Sequence, residues 1–222
     1  MQSIIFDYLN NYSSFQLFGL SHWIAIFLFF FMVIFLPWFS KTHLEVRHQN
    51  LIGNILITLV FINYPIWVVL EFIAGTFDFK LHLPLHLCRF ANLLLPIALF
   101  WKNDKIFQIL YFWGMSAIFQ AIFTPDIIHD FPHFHYFRYF IAHQLMVISI
   151  IYYVVVFKMK PTINGLKNAF LALNIFLLVA FISNKFLRVG SWFGLKTSAT
   201  FKSLRPDACC KSFLASKFFA SL

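Results

Sequence analysis

Charge is what this chain has least of. Only 11% of its 222 residues are Asp, Glu, Lys or Arg, where soluble domains carry about 25%. So little charge cannot cover a folded surface in water, which excludes an ordinary soluble domain. Intrinsic disorder is excluded as well, because it needs low hydrophobicity and high charge, and this chain is 61% hydrophobic with 33 Phe. Cysteine is scarce. Cys88, Cys209 and Cys210 offer neither a CxxC pair nor a disulfide framework. The first 40 residues contain no Lys or Arg, so the basic start of a signal peptide is missing and the first apolar run is expected to stay in the membrane. What remains is an integral membrane protein.

A spanning helix needs roughly 20 mostly apolar residues. Six runs meet that length: Ser21–Phe39, Leu51–Leu70, Leu81–Trp101, Ile106–Thr124, Tyr136–Phe157 and Ile163–Asn184. They are continuous rather than short and alternating, so a β-barrel is not expected. The sequence predicts an all-α polytopic bundle over residues 1–187, followed by a tail over 188–222. The third run is unusual, with His82, His86 and Arg89 in its first half.

The loops after the first, third and fifth runs carry Lys41 and Arg47, Lys102 and Lys105, and Lys158 and Lys160. The opposite side has fewer cations and holds Asp78, Asp126 and Asp130. The positive-inside rule then places the N-terminus outside the cell membrane. The tail breaks this pattern. From Lys185 onward there are seven Lys/Arg against the single acid Asp207, whereas the body before it has ten against seven. A body so nearly balanced is not expected to bind nucleic acid. The tail also holds six of the chain's Ser in 38 residues. It reads either as a basic amphipathic helix on a membrane surface or as a frameshifted terminus.

Ionisable groups within a bilayer are costly and mark function by default. Here they gather in one half of the bundle. His22 opens the first run and Glu71 ends the second. His86, Cys88 and Arg89 lie in the third, and Gln120 and Thr124 end the fourth. Asp126, His129, Asp130, His133 and His135 follow as a loop, and Arg138 and His143 open the fifth. Counted from the predicted run starts, Cys88 and His143 are both seven residues in, about 10 Å deep at a rise of ~1.5 Å per residue. If the third and fifth runs pack together, a thiol meets an imidazole, the minimum for nucleophilic acyl chemistry. Arg89, about 100° further round the helix, is placed to hold a lipid phosphate. Each residue also has an ordinary role: a lone Cys packs, a His bridges helices, and an Arg snorkels to headgroups.

The loop offers a rival. Asp126, His129, His133 and His135 are zinc-type ligands, although no HExxH pattern is present and Pro132 interrupts the segment.

The string Leu83-Pro84-Leu85-His86-Leu87-Cys88 resembles a signature of the YwaF-like family of small bacterial integral membrane proteins. That family is similar to a eukaryotic transmembrane acyltransferase that builds polyunsaturated ether phospholipids. Further matching pieces stand in order: His22, Trp113-Gly114, Gln120, Thr124-Pro125-Asp126, Phe131-Pro132, His143 and the region of Asn184. Together they cover about residues 15–187. The resemblance implies that Cys88 is the acyl-accepting nucleophile, that His143 is its general base, and that His86 is a second polar group in the pocket. It also implies that Pro84 fixes the start of the third span. The family's later Lys-Pro segment, Gly-Pro-Trp-Pro-Trp-like stretch and seventh span are not found after Leu187, which is the ground for expecting a frameshift there.

Three functions are therefore open. The first is a Cys88/His143 acyltransferase or thioesterase drawing phospholipid laterally from the bilayer, with no cofactor, and with His22, Glu71, His86, Arg89, Gln120 and Asp126 lining its pocket. The second is a metal-dependent hydrolase built on the loop histidines. The third is a transporter or binding protein, disfavoured because the inner halves of the first, second and fifth runs are almost purely apolar and offer no continuous polar path.

Overall fold

The structure is a computed structural model that describes residues 13–77 and 86–187, the last four by backbone alone. His82, Pro84 and the 188–222 tail lie outside the described residues. The chain divides into two compact units, residues 1–173 and 174–222. Every side-chain contact described below lies within the first.

Among the described residues the regular elements are helices. They are α1 (Leu20–His43), α2 (Val46–Ala74), α3 (Leu87–Phe100), α4 (Asp104–Phe123), α5 (Phe134–Val155) and α6 (Ile163–Leu187). Five of the six contain a stretch long and apolar enough to cross a membrane, and α3 does not. The polytopic all-α architecture therefore holds. Within the third run the described helix is α3, which follows an extended backbone at His86, φ −78° and ψ 134°, and the start of that run, 81–85, lies outside the described residues.

Local chemistry sets several other ends. Asn103 caps α4, its side-chain oxygen accepting from the N–H groups of Lys105 at 3.1 Å and Ile106 at 3.2 Å. Gly75 closes α2 in the left-handed region at φ 74°, where a glycine avoids the Cβ clash. His133 caps α5, its Nδ1 accepting from the His135 N–H at 3.1 Å.

Helix α5 is the axis of the first unit, and α1, α2, α3 and α4 all pack against it. Its run Met146–Ile150 is buried on every side, as expected for a helix surrounded by others. The outer helices turn large apolar side chains outward, among them Phe27, Ile34 and Trp38 of α1 and Leu166, Phe170 and Leu171 of α6. Such surface suits lipid contact. At the end of the bundle where α1 meets α2, Ser40 and Tyr152 hydroxyls lie 2.7 Å apart. Tyr152 donates to the Gln49 carbonyl at 2.9 Å, and the Gln49 side chain donates to the carbonyls of Leu44 and Ser40.

Helix α4 passes α5 through a π-helical turn, Gly114–Ile118. A Cβ at Gly114 would stand 2.4 Å from Ile150 Cδ1, and Ile150 is fully buried, so that methyl has little room to move. Gly114→Ala should therefore destabilise the protein by about 1–3 kcal/mol, read as a lower thermal midpoint in detergent. Ile150→Val removes the offending methyl, and the double variant should recover most of the loss. A double variant no more stable than Gly114→Ala alone would show that this contact does not set the crossing.

Candidate functional site

At the opposite end of the unit, α2, α3, the 124–133 loop and α5 bring their polar residues together around one indole. Trp67 of α2 lies under two guanidiniums, with Arg89 Cζ 4.5 Å and Arg138 Cζ 4.2 Å from its ring centroid. One turn further along α2, Glu71 faces the same cluster, as residues four apart on a helix must. Its Oε1 accepts from Trp67 Nε1–H at 2.9 Å and lies 3.7 Å from His135 Nε2. Its Oε2 accepts from the Thr76 hydroxyl. Glu71 is buried, so its charge acts on its neighbours with little solvent screening.

Three imidazoles close this side. The His129 ring stacks on His133 at 4.2 Å and lies 4.8 Å from His135, and His133 and His135 are 5.1 Å apart. The loop carrying them is pinned to the segment before α1. Phe15 N–H donates to the Ile128 carbonyl at 2.8 Å and Asp130 N–H to the Ser13 carbonyl at 2.9 Å, and Ser14 and His129 form an isolated antiparallel bridge. The His129 and His133 rings are stacked, whereas His135 is tilted to both. Among the described residues no group of three His, Cys, Asp or Glu is placed to hold a metal ion.

Cys88 is the second residue of α3, with a free, half-buried thiol. Helix α3 packs on α5, the helix that carries His143. Tyr139 of α5 stacks on His143, one turn away, with ring centroids 4.1 Å apart. His143 is buried and its Nδ1–H donates to the Tyr139 carbonyl at 2.7 Å. A carbonyl can only accept, so the proton is fixed on Nδ1 and Nε2 keeps its lone pair. That is the tautomer a general base requires. No hydrogen bond joins Cys88 to His143 among the described residues.

The other predicted pocket residues separate. His86, extended at the N-cap of α3, adjoins both guanidiniums and belongs to the cluster. Asp126 is exposed, with its backbone at the Tyr139 hydroxyl. Gln120 is exposed and reaches only Thr124, at 3.4 Å. His22 is fully buried elsewhere. Its Nδ1 accepts from Phe18 N–H at 3.0 Å, and its Nε2–H donates to the Ile122 carbonyl at 2.9 Å. With both nitrogens committed, His22 ties α1 to α4 and is not a ligand-facing group. Two residues of the cluster were not foreseen. Trp67 and Tyr139 read as interface aromatics, and the available signal was their four-residue spacing from Glu71 and His143.

In comparisons with known proteins, the model of the TMEM164 family matches residues 17–208. No curated protein and no solved structure matches the chain.

The histidine cluster has a pH signature. Burial, together with His133 and the Arg138 guanidinium, pulls His129 down to about 4. Its neutral form is thus favoured by folding. This contribution is complete above the unfolded value of about 6.5 and is lost as pH falls toward 4. The thermal midpoint in detergent should drop between pH 7 and pH 4.5, and His129→Gln, which has no proton to gain, should flatten that drop. Parallel curves for the two proteins would remove His129 from the account.

Proposed function

The chain belongs to the TMEM164 family of multi-pass membrane proteins, and on that premise we propose that it is a cysteine-dependent acyltransferase or thioesterase acting on membrane phospholipid. What supports this reading is that α3, which carries the free thiol of Cys88 in its first turn, packs on α5, which carries His143 with its Nδ1 engaged by the Tyr139 carbonyl and Nε2 as the candidate base. The resemblance of the Leu83–Cys88 string to the YwaF-like family, and through it to an ether-phospholipid acyltransferase, points the same way.

In this reading Cys88 is the nucleophile. Burial pushes the Cys88 thiol up to about 11, and the cation of the next residue, Arg89, only partly offsets it, so a base must take the thiol proton as the sulfur attacks. His143 Nε2 removes the thiol proton, and the sulfur attacks the acyl ester carbonyl. A C–S bond forms, the ester C–O bond breaks, and the imidazolium returns the proton to the leaving glycerol oxygen. A second alcohol, or water, then gives its proton to His143, attacks the thioester and releases the Cys88 sulfur. Tyr139 positions the imidazole by stacking on it and by accepting its Nδ1–H at the backbone. Catalytic contacts commonly tighten only when substrate is bound, so the thiol and imidazole are expected to close on the ester between them.

Intact-protein mass spectrometry after incubation with mixed phospholipids tests this. Wild type should gain the mass of one acyl chain, and Cys88→Ala should not. His143→Ala should slow acylation by about 10²–10⁴-fold, the usual worth of a general base. Equal acyl turnover by wild type and Cys88→Ala would overturn the reading.

A further inference from the structure

We propose that the end of the first unit opposite Cys88 is a docking site for the anionic headgroup of a membrane phospholipid, built on Lys102 and Lys158. The lipid there is bound and does not react, so the inference stands apart from the acyl chemistry at the other end.

Helices α3 and α5 pack together and run the same way, from the Trp67 cluster to this end. Helix α3 stops in a Schellman cap, in which the Asn103 N–H donates to the Ala98 carbonyl at 2.9 Å. Helix α5 stops in a wider turn, closed by the Met159 N–H on the Tyr153 carbonyl at 3.2 Å. Each turn is made by a left-handed residue, with φ 47° at Lys102 and φ 58° at Lys158. Glycine takes that backbone without a Cβ clash, yet both positions carry lysine. A cation near a helix C-terminus is favoured by the helix dipole, but a lysine in the last helical turn supplies that without the strained backbone. The two lysines are therefore better explained by what they face. The Lys102 ammonium lies 4.4 Å from the ring centroid of Phe157, the residue before Lys158, and 3.5 Å from Asn50 Oδ1. Arg47, one turn before Asn50 on α2, is exposed, as are both lysines. Among the described residues none of the three has a carboxylate partner. Segments 41–50, 102–105 and 158–167 together hold seven Lys/Arg against Glu45 and Asp104. Such an excess at a membrane surface attracts anionic lipid. Trp101, beside Lys102, is 70% exposed, as a tryptophan at a membrane–water interface is, which sets the ammonium at headgroup depth. Exposed Ile97 and Phe100 continue the same helix toward the bilayer interior and offer acyl chains an apolar track. That track favours a lipid over a free anion.

Native mass spectrometry of the full chain, stripped of lipid and offered equal dioleoyl-phosphatidylglycerol and dioleoyl-phosphatidylcholine, tests the site. Wild type should retain phosphatidylglycerol in preference. Glycine suits both left-handed positions, so Lys102→Gly/Lys158→Gly should keep or raise the thermal midpoint. Its preference for phosphatidylglycerol should nevertheless fall at least about fivefold, the worth of one lysine at an anionic membrane surface. An unchanged preference in this variant would overturn the proposal and leave the lysines as helix caps. Millimolar glycerol phosphate should not displace the lipid, and displacement would overturn the lipid as occupant. Should the glycine variant fail to fold, wild type alone decides. Phosphatidylglycerol should raise its thermal midpoint more than phosphatidylcholine does, and equal shifts would overturn the site.

Discussion

Two arginines must be held inside an apolar bundle, and that requirement organises one end of this protein. A guanidinium withdrawn from water needs compensating contacts. Arg89 and Arg138 both find one on the same residue, Trp67, whose indole N–H is itself committed to Glu71. The arrangement joins three helices, because Trp67 and Glu71 belong to α2, Arg89 to α3 and Arg138 to α5. It also explains how a helix as short as α3 keeps its place. Its first turn is fixed by charge and ring contact, and Ala91, Leu95, Ala98 and Leu99 bury its apolar side.

The rest of the unit holds this corner still. His22 joins α1 to α4 through Nε2, while its Nδ1 holds the Phe18 N–H just before α1. Tyr136 donates to the Ser21 carbonyl at 2.6 Å, and Ser21 donates to Asp130 at 2.6 Å, so the start of α5 and its preceding loop are tied to α1. Gln144 donates to the Ala25 carbonyl at 2.9 Å. Each bond satisfies a polar group that lipid could not, and each fixes a helix that presents a site residue. The opposite end is secured separately through Ser40, Gln49 and Tyr152.

Most of the fold was legible in the sequence, since bilayer thickness sets a length that apolar runs reveal directly. Ranges for α1, α2, α4, α5 and α6 follow the apolar runs with modest extensions. The start of α3 was less legible, because the extended backbone at His86 does not show in an average of hydropathy. The gathering of polar residues at one end was also legible, because it follows from counting through alternating spans. Their pairing was not. Which α5 residue meets Cys88 depends on where α3 begins and on which face it turns to α5, and apolar runs carry neither. His22 and Gln120 share the right depth but not the right face, and depth alone cannot separate a ligand-facing histidine from one that bridges two helices. Trp67 was hidden by its residue type, since an aromatic near a span end has an ordinary explanation.

The central claim is that Trp67, by seating both guanidiniums, holds the first turn of α3 against α2 and α5. Hydrogen–deuterium exchange in detergent measures that directly. The account predicts that Trp67→Leu speeds exchange of the amides that open α3 while those of Met146–Ile150 stay protected, and equal exchange at the start of α3 in the two proteins would contradict it.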